Sequence, residues 1–78
     1  MGAGVMNSRT ASQCKNILAY MEDHPEGITA VTAMQVFGVM RLAARISNLK
    51  DQGIEIDTTM EKGEGGVRYA RYRLKEAR

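Results

Sequence analysis

Four side chains able to donate hydrogen bonds, Arg41, Arg45, Asn48 and Gln52, recur at i, i+4, i+7 and i+11 within VMRLAARISNLKDQ, residues 39–52. That spacing lines them up as one stripe along a helix. A guanidinium can engage guanine O6 and N7 together, and Asn or Gln carboxamides suit adenine, so the chemistry on offer is recognition of base edges in a major groove. With Leu42, Ile46 and Leu49 turned inward and Ala43 at their margin, Met40, Ala44, Ser47 and Asp51 point directly outward. The small Ala44 and Ser47 would let the helix axis approach a groove floor. Charged stripes are more often solvated surface, with Arg41 or Arg45 bonded to Asp51 or to a cap. Position favours the groove here, because the segment follows a short helical stretch and the turn residue Gly38.

The elements that must hold this stripe are legible in hydrophobic spacing. Cys14, Ile17, Leu18 and Met21 fall at i, i+3, i+4 and i+7, and Thr10 with Gln13 has the spacing of a capping box, so a first helix is predicted over residues 11–23. His24-Pro25 and Gly27 end it, and Ile28 supplies a very short strand. Thr29 is placed as the N-cap of a second helix, in which Ala30, Ala33, Met34 and Phe37 repeat the template before Gly38. A helix of two turns is not stable alone, so it must pack on its neighbours. The third helix is predicted over residues 39–52, with Gly53 as a left-handed C-terminal cap.

Beyond Gly53, Ile54, Ile56, Thr58 and Met60 alternate with Glu55, Asp57, Thr59 and Glu61, the period of a strand with one buried face. KGEGG, residues 62–66, reads as a hairpin loop, and the return run alternates Ala70, Tyr72 and Leu74 with Tyr69, Arg71 and Arg73. A loop centred on Glu64 pairs Ile56 with Tyr72 and Ile54 with Leu74. In that register Glu55 lies opposite Arg73 and Asp57 opposite Arg71, which leaves open whether those arginines are engaged across the strands or free for phosphate. Lys62 and Arg68, flanking the glycines, are the favoured backbone contacts, with Tyr69 an exposed aromatic and Tyr72 a core residue.

Composition narrows the functional classes. At 78 residues there is room for one domain with a small core. The single Cys14 and single His24 lack partners for a disulfide, a metal site or thiol exchange, and each is read as structural. Gly63, Gly65 and Gly66 are followed by no helix, lysine or Ser/Thr where a phosphate loop needs them. No nucleophile sits beside a base in a recognisable motif, so neither an enzyme nor a cofactor is expected. Net charge is only +2, yet from Val67 onward four arginines and Lys75 face a single Glu76, whereas residues 21–26 are acidic. Local clusters of this kind are what a polyphosphate backbone rewards. Without a signal-like start or a membrane-length apolar run, no membrane is expected, and a reducing cytoplasm is the expected compartment.

The runs ITAVTAMQVFGVMRLAARISNLKDQGIEI and GVRYARYRL resemble the small winged helix-turn-helix proteins encoded by phages and prophages, and with the first helix the similarity spans residues 13–74. In that group a threonine caps helix 2, an F-G turn precedes a basic R-L-A-A-R-I helix, and a hairpin ends in an R-Y-x-x-Y-x-L-like strand. The resemblance implies binding of DNA in a bacterial host cell, with Arg41 and Arg45 as the matching basic positions. Thr32 departs from the pattern where an acidic capping partner is often found.

The expected fold is therefore α+β: a three-helix bundle with a C-terminal β-hairpin wing, a winged helix-turn-helix over residues 10–75 with tails at 1–9 and 76–78. The expected partner is double-stranded DNA. Met40, Arg41, Ala44, Arg45, Ser47 and Asn48 are expected in the major groove, with Lys62, Arg68 and Arg71 on the backbone or in the minor groove. The expected use is transcriptional regulation in a phage or prophage. A homodimer or a phage or host protein partner stays open. The rival readings are a protein-binding winged helix using Met34, Met40 and Met60, and an architectural or excision factor that bends DNA.

Overall fold

The computed structural model describes residues 8–75, so residues 1–7 of the expected N-terminal tail and the whole expected tail at 76–78 lie outside them. In chain order it has α1 (Ser8–Asp23), β1 (Ile28–Thr29), α2 (Ala30–Phe37), α3 (Leu42–Asp51), β2 (Ile56–Lys62) and β3 (Arg68–Leu74). The strands form one antiparallel sheet in the order β1-β3-β2. This is the α+β architecture expected of a winged helix.

α1 buries Cys14, Ile17 and Met21 along the anticipated stripe. It starts earlier than the capping-box spacing suggested, so Thr10 lies inside the helix and the expected boundary after residue 9 falls within it. No glycine or proline stands between Ser8 and Thr10 to stop the helix there. At the other end His24 stacks on Tyr20 with ring centroids 3.8 Å apart, and its Nδ1–H donates to the Tyr20 carbonyl at 2.9 Å. Phe37 of α2 meets the edge of the same Tyr20 ring.

Thr29 caps α2 as predicted, its hydroxyl accepting from the Thr32 N–H at 3.4 Å. Thr32 replaces the acidic capping partner with a hydroxyl that accepts from Thr29 Oγ1. Gly38 ends the helix in the left-handed region at φ 69°, with its N–H on the Met34 carbonyl. Of the four positions expected to face inward, Ala33 is buried and Phe37 half-buried, whereas Ala30 is exposed and Met34 is 49% exposed. The small Ala33 lets α2 pack closely, and Val39 fills the core where a longer inward face would have gone. The Val39 N–H returns to the Ala33 carbonyl, and its side chain is fully buried.

That insertion moves the start of α3. Residues 39–41 form the turn, Arg41 is the N-cap at φ −120° and ψ 66°, and the helix proper begins at Leu42 rather than at Val39. Leu42, Ile46 and Leu49 are buried as read from the sequence, while Ala43 is exposed. The helix closes in a Schellman motif, with Gly53 N–H on the Lys50 carbonyl and Ile54 N–H on the Leu49 carbonyl. Ile54 is thereby committed to the helix end and lies outside β2.

The hairpin register differs from expectation by two residues. Ile56 faces Leu74, Thr58 faces Tyr72, Met60 faces Ala70 and Lys62 faces Arg68. The loop is centred on Gly65 instead of Glu64: Gly63 N–H closes it on the Val67 carbonyl, and a 3-10 turn occupies Glu64–Gly66. A two-residue slip keeps every side chain on its predicted face but moves the outer hairpin away from the helices. Only Ile56 of β2 is buried, and Met60 is 55% exposed. Tyr72 and Leu74 pack against the shared core that Ile17, Ile28, Val39, Leu42, Ile46 and Leu49 fill.

β1 reaches β3 through Gly27. Its φ is 92°, and a Cβ there would overlap the Tyr72 carbonyl. Only glycine permits that crossing, after which Ile28 pairs with Tyr72 and Thr29 with Arg71. Gly27→Ala should therefore cost at least about 2 kcal/mol in urea denaturation, against roughly 1 kcal/mol for Gly53→Ala, where φ is 95° but nothing lies within 4 Å of the added carbon. Equal losses for the two variants would contradict the close crossing. Ile56→Ala should cost about 2–5 kcal/mol by opening the core beneath the hairpin.

Candidate nucleic-acid interface

Helix α3 lies between two unlike neighbours. On one flank α1 packs against it: Arg45 Nη1 donates to Gln13 Oε1 at 3.2 Å, and the Cys14 thiol points at the Arg45 carbonyl at 3.8 Å. Burial pushes the Cys14 thiol pKa up, only partly opposed by Arg45, which suits a core residue. On the other flank Ala43 and Ala44, with Met40, Arg41 and Leu42, line a cleft completed by Ala30 and by Ala70 and Tyr72 of β3. The face of β3 that carries Ala70 and Tyr72 therefore looks toward the start of α3.

The expected stripe is only partly realised. Arg41 and Met40 precede the helix, because Val39 is drawn into the core; both are exposed, Met40 by 76%. Arg45 and Asn48 are neighbours, with Arg45 Nε donating to Asn48 Oδ1 at 3.0 Å. Both are half-buried, and the guanidinium is turned toward α1. Ala43, Ser47 and Lys50 are exposed and Ala44 is half-buried, so the outward surface of α3 is small and polar. There is no acidic residue in its first turn.

Lys62 and Arg68 occupy directly opposed positions at the tip of the hairpin, both exposed. Opposed residues share a face, and theirs is the face of Met60, Ala70 and Tyr72. Two cations directly opposite are mutually destabilising, and nothing acidic in that row offsets them.

Arg71 is held elsewhere. It lies on the opposite face of the hairpin, where its Nε donates to Glu61 Oε2 at 2.9 Å, and Arg73 Nη2 comes within 4.0 Å of the same oxygen. The ion pair is diagonal, since Thr59 faces Arg71 and Asp57 faces Arg73 across the strands. The anticipated pairings of Asp57 with Arg71 and Glu55 with Arg73 are thus replaced, as a consequence of the register. The Arg71 guanidinium, then the Tyr69 hydroxyl, hold the Glu61 carboxyl below the usual carboxylate range. Such a depressed acid keeps its pairing above the ordinary carboxylate pKa and loses it as pH falls through its own.

Sequence reasoning missed Arg9 and Gln13 as members of this surface. Arg9, Gln13, Phe37, Gly38, Met40, Arg41 and Arg45 line one open cleft where α1 meets the turn before α3. The available signal was the absence of a helix breaker around Arg9, which sits one helical turn before Gln13. Among the described residues no cluster of His, Cys, Asp and Glu could hold a metal ion, and no helix is long and apolar enough to cross a membrane.

No curated protein and no solved structure matches the chain. A family model described as a winged helix-turn-helix domain matches residues 12–77, which takes in α1 from Ser12 onward, α2, α3, all three strands and the hairpin loop. The chain belongs to the winged helix-turn-helix domain family, a membership that suggests DNA binding.

Proposed function

We propose that this domain binds double-stranded DNA, with α3 in the major groove and the hairpin tip on the adjacent backbone or minor groove. The observation that carries the reading is the Lys62–Arg68 pair, two exposed cations opposed on the face that looks toward α3. A polyanion relieves their repulsion, and counterion release makes such contacts favourable. The small outward surface of Ala44 and Ser47, with Asn48 beside it, suits close approach to base edges. Arg71, tied to Glu61 on the far face, contributes through wing rigidity in this reading rather than through phosphate contact. The resemblance to phage and prophage proteins supports transcriptional regulation in a bacterial cytoplasm as the use.

A protein-binding role is the second reading, favoured by the exposed apolar residues of α2, Val31, Met34 and Val36. Salt titration separates the two. With about four to six phosphate contacts, log affinity for duplex DNA should fall against log salt with a slope of roughly −4 to −5, and a protein-only module should give no anisotropy change with duplex at ~50 mM salt.

Replacing Lys62 and Arg68 together by alanine should weaken specific and random duplexes by similar factors and reduce that slope by up to about 2. The melting temperature should hold or rise, because the substitutions remove a like-charge pair. A loss of stability with unchanged DNA affinity would make the pair a structural feature of the hairpin.

A further inference from the structure

We propose that Arg9, Arg41 and Arg45 form a seat for one backbone phosphate of DNA, in the cleft between the first turns of α1 and the turn that enters α3. The inference rests on the duplex-binding reading and deepens it, by naming a second backbone anchor on the flank of α3 away from the wing.

Three arginines from separate places in the chain line this one cleft, and the remaining lining residues are Gln13, Phe37, Gly38 and Met40. No carboxylate is among them. The contrast with the wing is informative: where Arg71 has a structural role, the fold supplies Glu61 to neutralise it. Arg45 instead donates to two neutral carboxamides, Gln13 at 3.2 Å and Asn48 at 3.0 Å. Those bonds fix the guanidinium plane while leaving its charge uncompensated. A planar fork held in place and kept cationic matches the geometry of a phosphate. Arg9 and Arg41 are exposed and, among the described residues, neither guanidinium makes a hydrogen bond or ion pair, so both can close on an anion from the rim.

The position of the seat selects a polymer backbone over a free anion. It is open, it adjoins the start of α3, and it lies on the α1 flank while the Lys62–Arg68 pair lies on the wing flank. A helix in a groove needs backbone contacts on both sides to fix its register. Arg41 and Arg45 then position the domain and do not read bases, which departs from the role their spacing first suggested.

The test compares the intact protein with Arg9→Ala and Arg9→Lys on a selected duplex and a random duplex across a salt series. Arg9 is exposed and is not a member of the core, so its replacement should leave the fold intact, checked by thermal melting. Arg9→Ala should weaken both duplexes by the same several-fold factor and reduce the salt slope by about 1, with Arg9→Lys recovering most of the loss. One neutral methylphosphonate linkage, scanned along the selected duplex, should weaken the parent most at a single position, and the loss at that position should be smaller for Arg9→Ala. If the parent binds duplex and Arg9→Ala is indistinguishable from it, the seat is overturned and the duplex reading stands. If the parent does not bind at low salt, both fall. One further result would overturn the seat: Arg45→Ala losing discrimination between the duplexes while keeping random-duplex affinity.

Discussion

The crossing of Gly27 over the Tyr72 carbonyl is the constraint on which the rest of the arrangement depends. It lets Ile28 and Thr29 pair with β3, and Thr29 is also the cap of α2. One short segment therefore ties the root of the hairpin to the helix that precedes the turn into α3. Moving β1 outward by the width of a methyl group would unseat Ile28, which is fully buried, and shift the hairpin relative to α3. In so small a domain the orientation of the wing has few other determinants.

From that clip the two flanks of α3 acquire different chemistry. The wing flank is lined mostly by alanines, Met40, Leu42 and Tyr72, with Arg41 at its entrance and Lys62 and Arg68 at the far end of the hairpin. The α1 flank is lined by three arginines, of which Arg45 is held by the carboxamides of Gln13 and Asn48. The ion pair of Arg71 with Glu61 sits on the other face of the sheet and removes one arginine from the surface that faces the helix. Charge is thus partitioned by strand alternation: Arg71 and Arg73 share Glu61 on one face, and Lys62 and Arg68 on the other have no ion pair among the described residues. Net charge alone, at +2, conceals this separation.

Much of the fold was legible in the sequence because its signals were local. Thr29 and Gly38 bracketed α2, Leu42, Ile46 and Leu49 gave the buried stripe of α3, and period-2 alternation gave the faces of both strands. Three features were not. Val39 and Met40 continue an apolar pattern, so nothing local says that Val39 leaves the helix to fill the core. The loop KGEGG admits two centres that place the same side chains on the same faces, and only the commitment of Ile54 to the end of α3 separates them. The spacing of Thr10 and Gln13 mimics a capping box and so places Arg9 outside the helix, whereas α1 runs on through both residues from Ser8. For the candidate site, the residue types were legible and their directions were not: Arg45 turns toward Gln13, a partner 32 residues away in sequence.

The most direct measurement is a map of backbone amide chemical shifts as duplex DNA is added to the isotopically labelled domain. Three groups should move together: residues 38–41 before α3, the amides of Leu42–Asp51, and residues 62–68 at the hairpin tip, with the acidic surface around Glu22 and Asp23 unchanged. Perturbation confined to that acidic surface, or to Val31, Met34 and Val36 on α2, would place the partner elsewhere and contradict this mode of DNA binding.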